Sequence, residues 1–271
     1  MSEDAASFHQ RSPGETSALS RVDGADLVIT AFRLLGGISA PGGNSPGAPT
    51  LARQKEDLRE WARSLGLLLN PGLILPRLER GGQEHDWFRD GERVFKVTRD
   101  GIFGLSPGID LALVSSDQDA RRFHLWEATP LEYLERLHLQ NQLVPGLNRL
   151  EGILDQGDDL AVVTSQPRFD IVAVSQPEID AWFARLGFEK VTECGYYRAE
   201  DNLGIFDAHT KNLVRFQDDL IPFDVIPCRP AGGFLKFIAD TLAAGHTVRA
   251  VRTVTTSPNT TTSSLEGRSP T

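Results

Sequence analysis

The apolar residues of this chain fall into short runs of two different periods, and that mixture restricts the fold more than any other feature of the sequence. Helical spacing over LARQKEDLREWARSLGLLL places Leu58, Trp61, Ala62 and Leu65 on one face, with charges opposite. TPLEYLERLHLQNQL opens with Thr-Pro, an N-cap followed by Pro at the first helical position, and spaces Leu131, Leu134 and Leu137 along one side. PEIDAWFARLGF puts Ile179, Trp182, Phe183 and Leu186 at i, i+3, i+4 and i+7, closed by Gly187. Strand-length runs lie between these helices. Arg93 to Thr98 follows a turn at Asp90-Gly91, and RLEGILDQGDDLAVVTS holds two runs around a turn at Asp155 to Asp159. Short apolar pieces at Leu203–Phe206, Asn212–Phe216 and Leu220–Val225 precede a last helix near Gly233–Ala244. Hairpins interleaved with single helices predict an α+β fold.

Residues 1–50 read as an extension and linker: an apolar stretch at 25–36 (ADLVITAFRLLG) that docks on the main body or stands outside it, then GGISAPGGNSPGAP, where Gly and Pro exclude a regular element. A single domain is expected over 51–250, and the tail 251–271, rich in Thr and Ser, is expected to be disordered. Residues 110–116 read as a short strand or an irregular insert, and 117–122 as a solvated loop. A formal charge of -9 and the absence of a Lys/Arg run argue against nucleic acid as a partner. Cys194 and Cys228 form no CxxC pair, so buried free thiols are expected rather than a disulfide framework or structural zinc. No apolar run approaches 18 residues and the N-terminus lacks the pattern of a signal peptide, so no membrane association and a cytoplasmic location are expected.

The chemistry concentrates in GIFDAHTKNLVRFQDDLIPFDVIP. Asp207 and Asn212 stand five residues apart between two strand-like pieces, and Asp224 follows twelve residues later. An acid, an amide and a second acid are what phosphoryl transfer requires. One carboxylate orients or deprotonates the attacking hydroxyl, while an amide oxygen and another carboxylate hold magnesium against a triphosphate. Upstream, the Gly81-Gly82 turn precedes RVFKVT, where Lys96 is flanked by Val94, Phe95 and Val97.

This order resembles the protein-kinase-like superfamily. DAHTKN is closer to the DLHxxN loop of aminoglycoside-phosphotransferase-type kinases than to an HRD loop, and the compact layout is similar to bacterial kinase-like domains of polyvalent proteins. The resemblance implies a bilobal fold with a small antiparallel N-lobe sheet and a reduced C-lobe, with ATP and Mg2+ as cofactors. By it, Asp207 is the catalytic-loop aspartate, Asn212 and Asp224 are metal ligands, and Lys96 holds the α- and β-phosphates beneath a loop carrying Gly81 and Gly82. A helix carboxylate, Glu132 or else Glu135, would pair with Lys96, and the backbone around Ser165, Gln166 and Pro167 would meet the adenine. His209 is expected to be an architectural hydrogen-bonding residue. The chain departs from the kinase pattern in having no full GxGxxG, Ile205-Phe206 where His-Arg stands in HRD kinases, and Asp-Val-Ile in place of Asp-Phe-Gly.

The expected activity is transfer of the γ-phosphate of MgATP to a hydroxyl of a protein or small molecule. Two alternatives stay open at this point: a pseudokinase module that binds nucleotide or a partner without turnover, and a metal-dependent hydrolase ligating its ion through Asp207, His209 and Asp224, which would leave Lys96 and Asn212 without a role.

Overall fold

The computed structural model describes residues 23–36, 50–99, 101–109, 123–170 and 172–245, together with the backbone of 254–255. The expectations for residues 110–122, for the Gly/Pro-rich linker and for most of the tail lie outside the described residues.

The fold is mixed α+β, with several small sheets and six α-helices among the described residues. Helices α1 (Gly24–Leu34) and α2 (Leu51–Ser64) come first, followed by β1 (Leu68–Leu69), the single turn α3 (Pro71–Ile74), β2 (His85–Asp90) and β3 (Arg93–Thr98). A hairpin of β4 (Leu105–Ile109) and β5 (Phe123–Glu127) then leads to α4 (Pro130–Leu143), β6 (Arg149–Asp155) and β7 (Leu160–Pro167). The rest comprises α5 (Gln176–Arg185), β8 (Glu189–Thr192), β9 (Gly195–Arg198), β10 (Leu203–Phe206), β11 (Val214–Phe216), β12 (Asp219–Ile221), β13 (Ile226–Cys228), α6 (Gly232–Ala243) and β14 (Val254–Thr255).

Five strands form the sheet β1-β6-β7-β3-β2, and β13-β10-β9-β8 form a second. Alternation along β3 and β7 sorts side chains onto two faces. Phe95, Val97, Ala161 and Val163 pack with Ile74 and Phe88 on one face, whereas Leu160 and Val162 face the core built by α1, α2 and α4. Cys194 and Cys228 are free, as expected, but half-buried.

The apolar stretch near residue 25 docks. Val28 and Ala31 of α1 are fully buried in the cluster that also holds Leu58, Ala62, Tyr133, Leu134 and Leu150. Helix α2 reaches the start of α4, because the Leu131 N–H donates to Gln54 Oε1 at 3.0 Å. At the other end of α4, Asn141 and Asn148 exchange two side-chain to backbone hydrogen bonds, at 2.9 and 2.7 Å. The long helix is thereby held at both ends.

A bulge between Leu150 and Gly152 lets β1 reach the sheet edge, where Ile153 N–H donates to Leu67 O at 2.9 Å. Gly152 has φ of 157°, and a methyl group there would overlap the Leu67 carbonyl oxygen and the Leu69 side chain. Because one obstacle is backbone, it cannot rotate away. Gly152→Ala is therefore expected to destabilise the fold by about 2 kcal/mol, read as a lowered denaturation midpoint; a midpoint equal to wild type would contradict the packing described.

Candidate functional site

The β2–β3–β7 register decides where Lys96 points. Trp87 pairs with Lys96 and Lys96 with Thr164, and directly opposed residues of antiparallel strands share a face. Lys96 therefore emerges on the face that carries α4, opposite Phe95 and Val97. Its side chain is 15% exposed, and Nζ donates to Asp224 Oδ1 at 2.8 Å. The ammonium also lies 5.8 Å from the centre of the Phe223 ring.

Asp224 is tied into a second group of residues. Its N–H donates to Asn212 O at 3.2 Å. Asn212 Nδ2 in turn donates to both Asp207 O and Asp207 Oδ2, at 2.7 and 2.9 Å. Both atoms facing that amide are acceptors, so the nitrogen must turn toward Asp207 and leave Asn212 Oδ1 directed elsewhere. Asp207 adopts φ of 55°, in the left-handed region that Asp and Asn enter more readily than most residues. His209 supports the same turn: its N–H donates to Asp207 O at 3.0 Å, and its Nε2 lies 3.6 Å from Asp207 Oδ1. Lys96, Asp207, Asn212 and Asp224 are thus joined through one connected set of contacts.

The helix contributes a different charge from the one expected. Glu132 completes a capping box, accepting from Thr129 N–H at 2.8 Å, and its other oxygen accepts from Ser106 Oγ at 3.3 Å. Glu135 lies toward Arg229; burial raises its carboxyl above the ordinary range against the pull of that arginine. The acid that meets Lys96 is Asp224. From α4 the buried group facing the site is Arg136, with a side chain 4% exposed. It donates from Nη1 to Glu84 Oε2 and from Nε to Val225 O at 3.2 Å, and its Nη2 lies 3.6 Å from Asp224 Oδ1. The sequence carries a signal for it: Tyr133, Arg136, Leu137 and Gln140 form an i, i+3, i+4, i+7 stripe, all buried, but an arginine in such a stripe reads as an outward charge unless its acceptors are known.

Burial alone would raise the Asp224 carboxyl, yet Lys96, Arg136 and His85 outweigh it and hold the group below its ordinary value. Ser165 and Gln166 are buried, with Ser165 Oγ donating to Glu151 Oε1 at 2.5 Å and Gln166 Nε2 donating to Asn148 Oδ1 at 2.7 Å and Phe223 O at 2.8 Å. Gly81 sits so close to the His85 carbonyl that no side chain would fit, whereas Gly82 has open space around it.

Among the described residues no group of three or more His, Cys, Asp or Glu stands together as a metal site, which removes the hydrolase alternative built on Asp207, His209 and Asp224. Magnesium asks for less from the protein, since it takes one or two protein oxygens and completes its shell with phosphate and water. Asn212 Oδ1 and the Asp224 carboxylate are hard oxygen donors of that type, on residues joined backbone to backbone, and they suit such an ion.

Residues 120–226 match the family model described as Serine/Threonine/Tyrosine Kinase found in polyvalent proteins. The match supports a kinase-like domain of the polyvalent-protein type in this part of the chain. The match takes in α4, the Asp207–Asn212 turn and Asp224, whereas Lys96 and the Gly81-Gly82 turn lie ahead of it, so it is shorter than the 78–226 span over which the sequence shows the resemblance. No curated protein and no solved structure matches the chain. No helix among the described residues is long and apolar enough to cross a membrane.

The site makes one pH prediction. Burial depresses the His85 pKa to about 4, with Lys96 and Arg136 adding to the effect and Glu84 and Asp224 opposing it. His85 Nε2 shares a 3.0 Å hydrogen bond with Tyr133 Oη. Since the folded pKa lies below the unfolded value near 6.5, the unfolded chain takes up this proton first as pH falls. The associated stability is complete above pH 6.5 and declines toward pH 4. Between pH 7 and 5 wild type should lose about 2 kcal/mol more than His85→Gln, measured by urea denaturation; parallel losses in the two proteins would remove His85 as the cause.

Proposed function

We propose that this chain is an ATP-dependent phosphotransferase that moves the γ-phosphate of MgATP to a hydroxyl of a protein or small molecule. The observation that carries this reading is the convergence of Lys96, Asp224, Asn212 and Asp207 through direct contacts, although they come from β3 and from loops far along the chain. The kinase-family match over α4 and these loops supports it. On this reading the sheet β1-β6-β7-β3-β2 with α4 is the smaller lobe of a bilobal kinase-like fold, and β8 to β13 with α5 and α6 form the reduced second lobe.

The roles follow from charge and position. Lys96 supplies a compact ammonium for the α- and β-phosphates. At 2.8 Å its pair with Asp224 leaves no space for a phosphate oxygen between them, and on this reading nucleotide entry parts the two groups. Asn212 and Asp224 would hold magnesium, which neutralises charge on the phosphates when bound. Asp207, fixed on one side by Asn212 and on the other by His209, accepts the hydrogen bond of the attacking hydroxyl and orients it in line. The purine would lie against backbone around Ser165, Gln166 and Pro167, with Gly81 and Gly82 in the loop over the phosphates.

The test separates binding from transfer. Wild type should be stabilised against heat by millimolar MgATP, as any ligand selective for the native state requires. Lys96→Met should weaken that stabilisation while the apo protein stays folded, because Asp224 keeps Arg136 as a neighbouring cation. Asp207→Ala should bind MgATP nearly as wild type does, yet lose phosphate transfer by about 10² to 10⁴, measured with γ-labelled ATP. A wild type unaffected by MgATP, or an Asp207→Ala variant with full transfer, would overturn the reading. A wild type that binds MgATP and transfers to no acceptor would instead make this a nucleotide-binding pseudokinase.

A further inference from the structure

We infer that Arg136 is a positioning residue that aims Asp224 at magnesium and couples that aim to the loop following Gly81 and Gly82 through Glu84. The inference rests on the phosphotransferase reading above and deepens it.

Geometry carries the argument. One guanidinium reaches three acceptors on two separate stretches of the chain: Glu84 Oε2 on one, Val225 O at 3.2 Å and Asp224 Oδ1 at 3.6 Å on the other. Gln140, one helical turn further along α4, donates to the same Val225 carbonyl at 3.0 Å, so the helix grips the backbone next to Asp224 twice. Glu84 Oε2 also accepts from Leu105 N–H at 2.9 Å, which ties the glycine loop to the start of β4. A planar fork with five N–H donors can span such a set, and an ammonium, though equally charged, cannot.

Electrostatics gives the arrangement a purpose. In the structure Lys96 and Arg136 share the Asp224 carboxylate while Glu84 faces Arg136, an alternating row of four charges in a half-buried setting. When Lys96 turns to the phosphates, Asp224 loses its nearest cation just as it must bind magnesium in a fixed direction. Arg136 remains, anchored by Glu84 and Val225. The helix-borne carboxylate that would position Lys96 is absent from this face of α4, and a helix-borne cation that positions Asp224 takes its place. Partners that orient a metal-binding group govern metal affinity by about 10- to 100-fold.

The experiment uses the full chain with Mg2+ and a non-hydrolysable ATP analogue, reading thermal stabilisation across a magnesium titration, and hydrogen exchange of the protein without nucleotide. Arg136→Lys, which keeps the charge and loses the span, should raise half-saturating magnesium about tenfold and speed exchange of the Leu105 and Asp224 amides. Glu84→Gln should shift both readouts in the same direction, and the double variant should fall short of the product of the two single effects, because both act through one guanidinium. If Arg136→Lys does not fold, Glu84→Gln and its magnesium titration decide alone. A folded Arg136→Lys, or in its absence a folded Glu84→Gln, with wild-type half-saturation and exchange overturns the inference. If wild type and Asp224→Asn differ in magnesium dependence while Arg136→Lys matches wild type, only the role of Arg136 falls; a wild type that ignores the nucleotide removes this inference and the phosphotransferase reading together.

Discussion

An ammonium on a strand and a carboxylate on a distant loop meet at 2.8 Å with the lysine side chain largely out of water. An ammonium so placed would not be stable alone, since removing an ion from water costs several kcal/mol unless a partner and hydrogen bonds offset it. That requirement reaches outward. Lys96 must leave β3 toward α4, which the Trp87–Lys96–Thr164 register enforces. Asp224 must arrive at the sheet, which the Asn212 carbonyl and the α4 grip on Val225 enforce.

The site also holds its charge in balance. Two cations, Lys96 and Arg136, and two anions, Asp224 and Glu84, lie within reach of one another. A balanced cluster can be buried more cheaply than an odd one. Asp207 stands slightly apart. Its contacts with Asn212 and His209 fix its direction.

Local pattern carried a good part of this arrangement. The helices over Leu51–Ser64, Pro130–Leu143 and Gln176–Arg185 and the hairpins at Asp90-Gly91 and Asp155 to Asp159 follow from periodicity and turn chemistry in windows of a dozen residues. The kinase-like character was legible in the Asp207, Asn212 and Asp224 spacing, and the family match over 120–226 agrees with it. Long-range partnership was not legible. Glu132 and Arg136 sit one turn apart on the same helix, and which of them faces the site depends on how α4 rotates against the sheet, a tertiary choice. Thr129 claims Glu132 for a cap, and Glu84 together with Val225 claims Arg136 for the interior. The β4–β5 hairpin escaped for a related reason: Ser106, Pro107 and Gly108 give β4 little strand character, and its pairing with β5 supplies what composition does not.

Helix α4 is pinned at its start by Gln54 of α2, at its end by the Asn141 and Asn148 exchange, and along its flank by the buried residues of α1. A lever fastened at both ends does not swing. On the phosphotransferase reading, opening and closing around a nucleotide would fall to the glycine loop, whose tether is the Glu84 carboxylate, so the cycle would be paced by a flap moving over a fixed beam rather than by the beam itself.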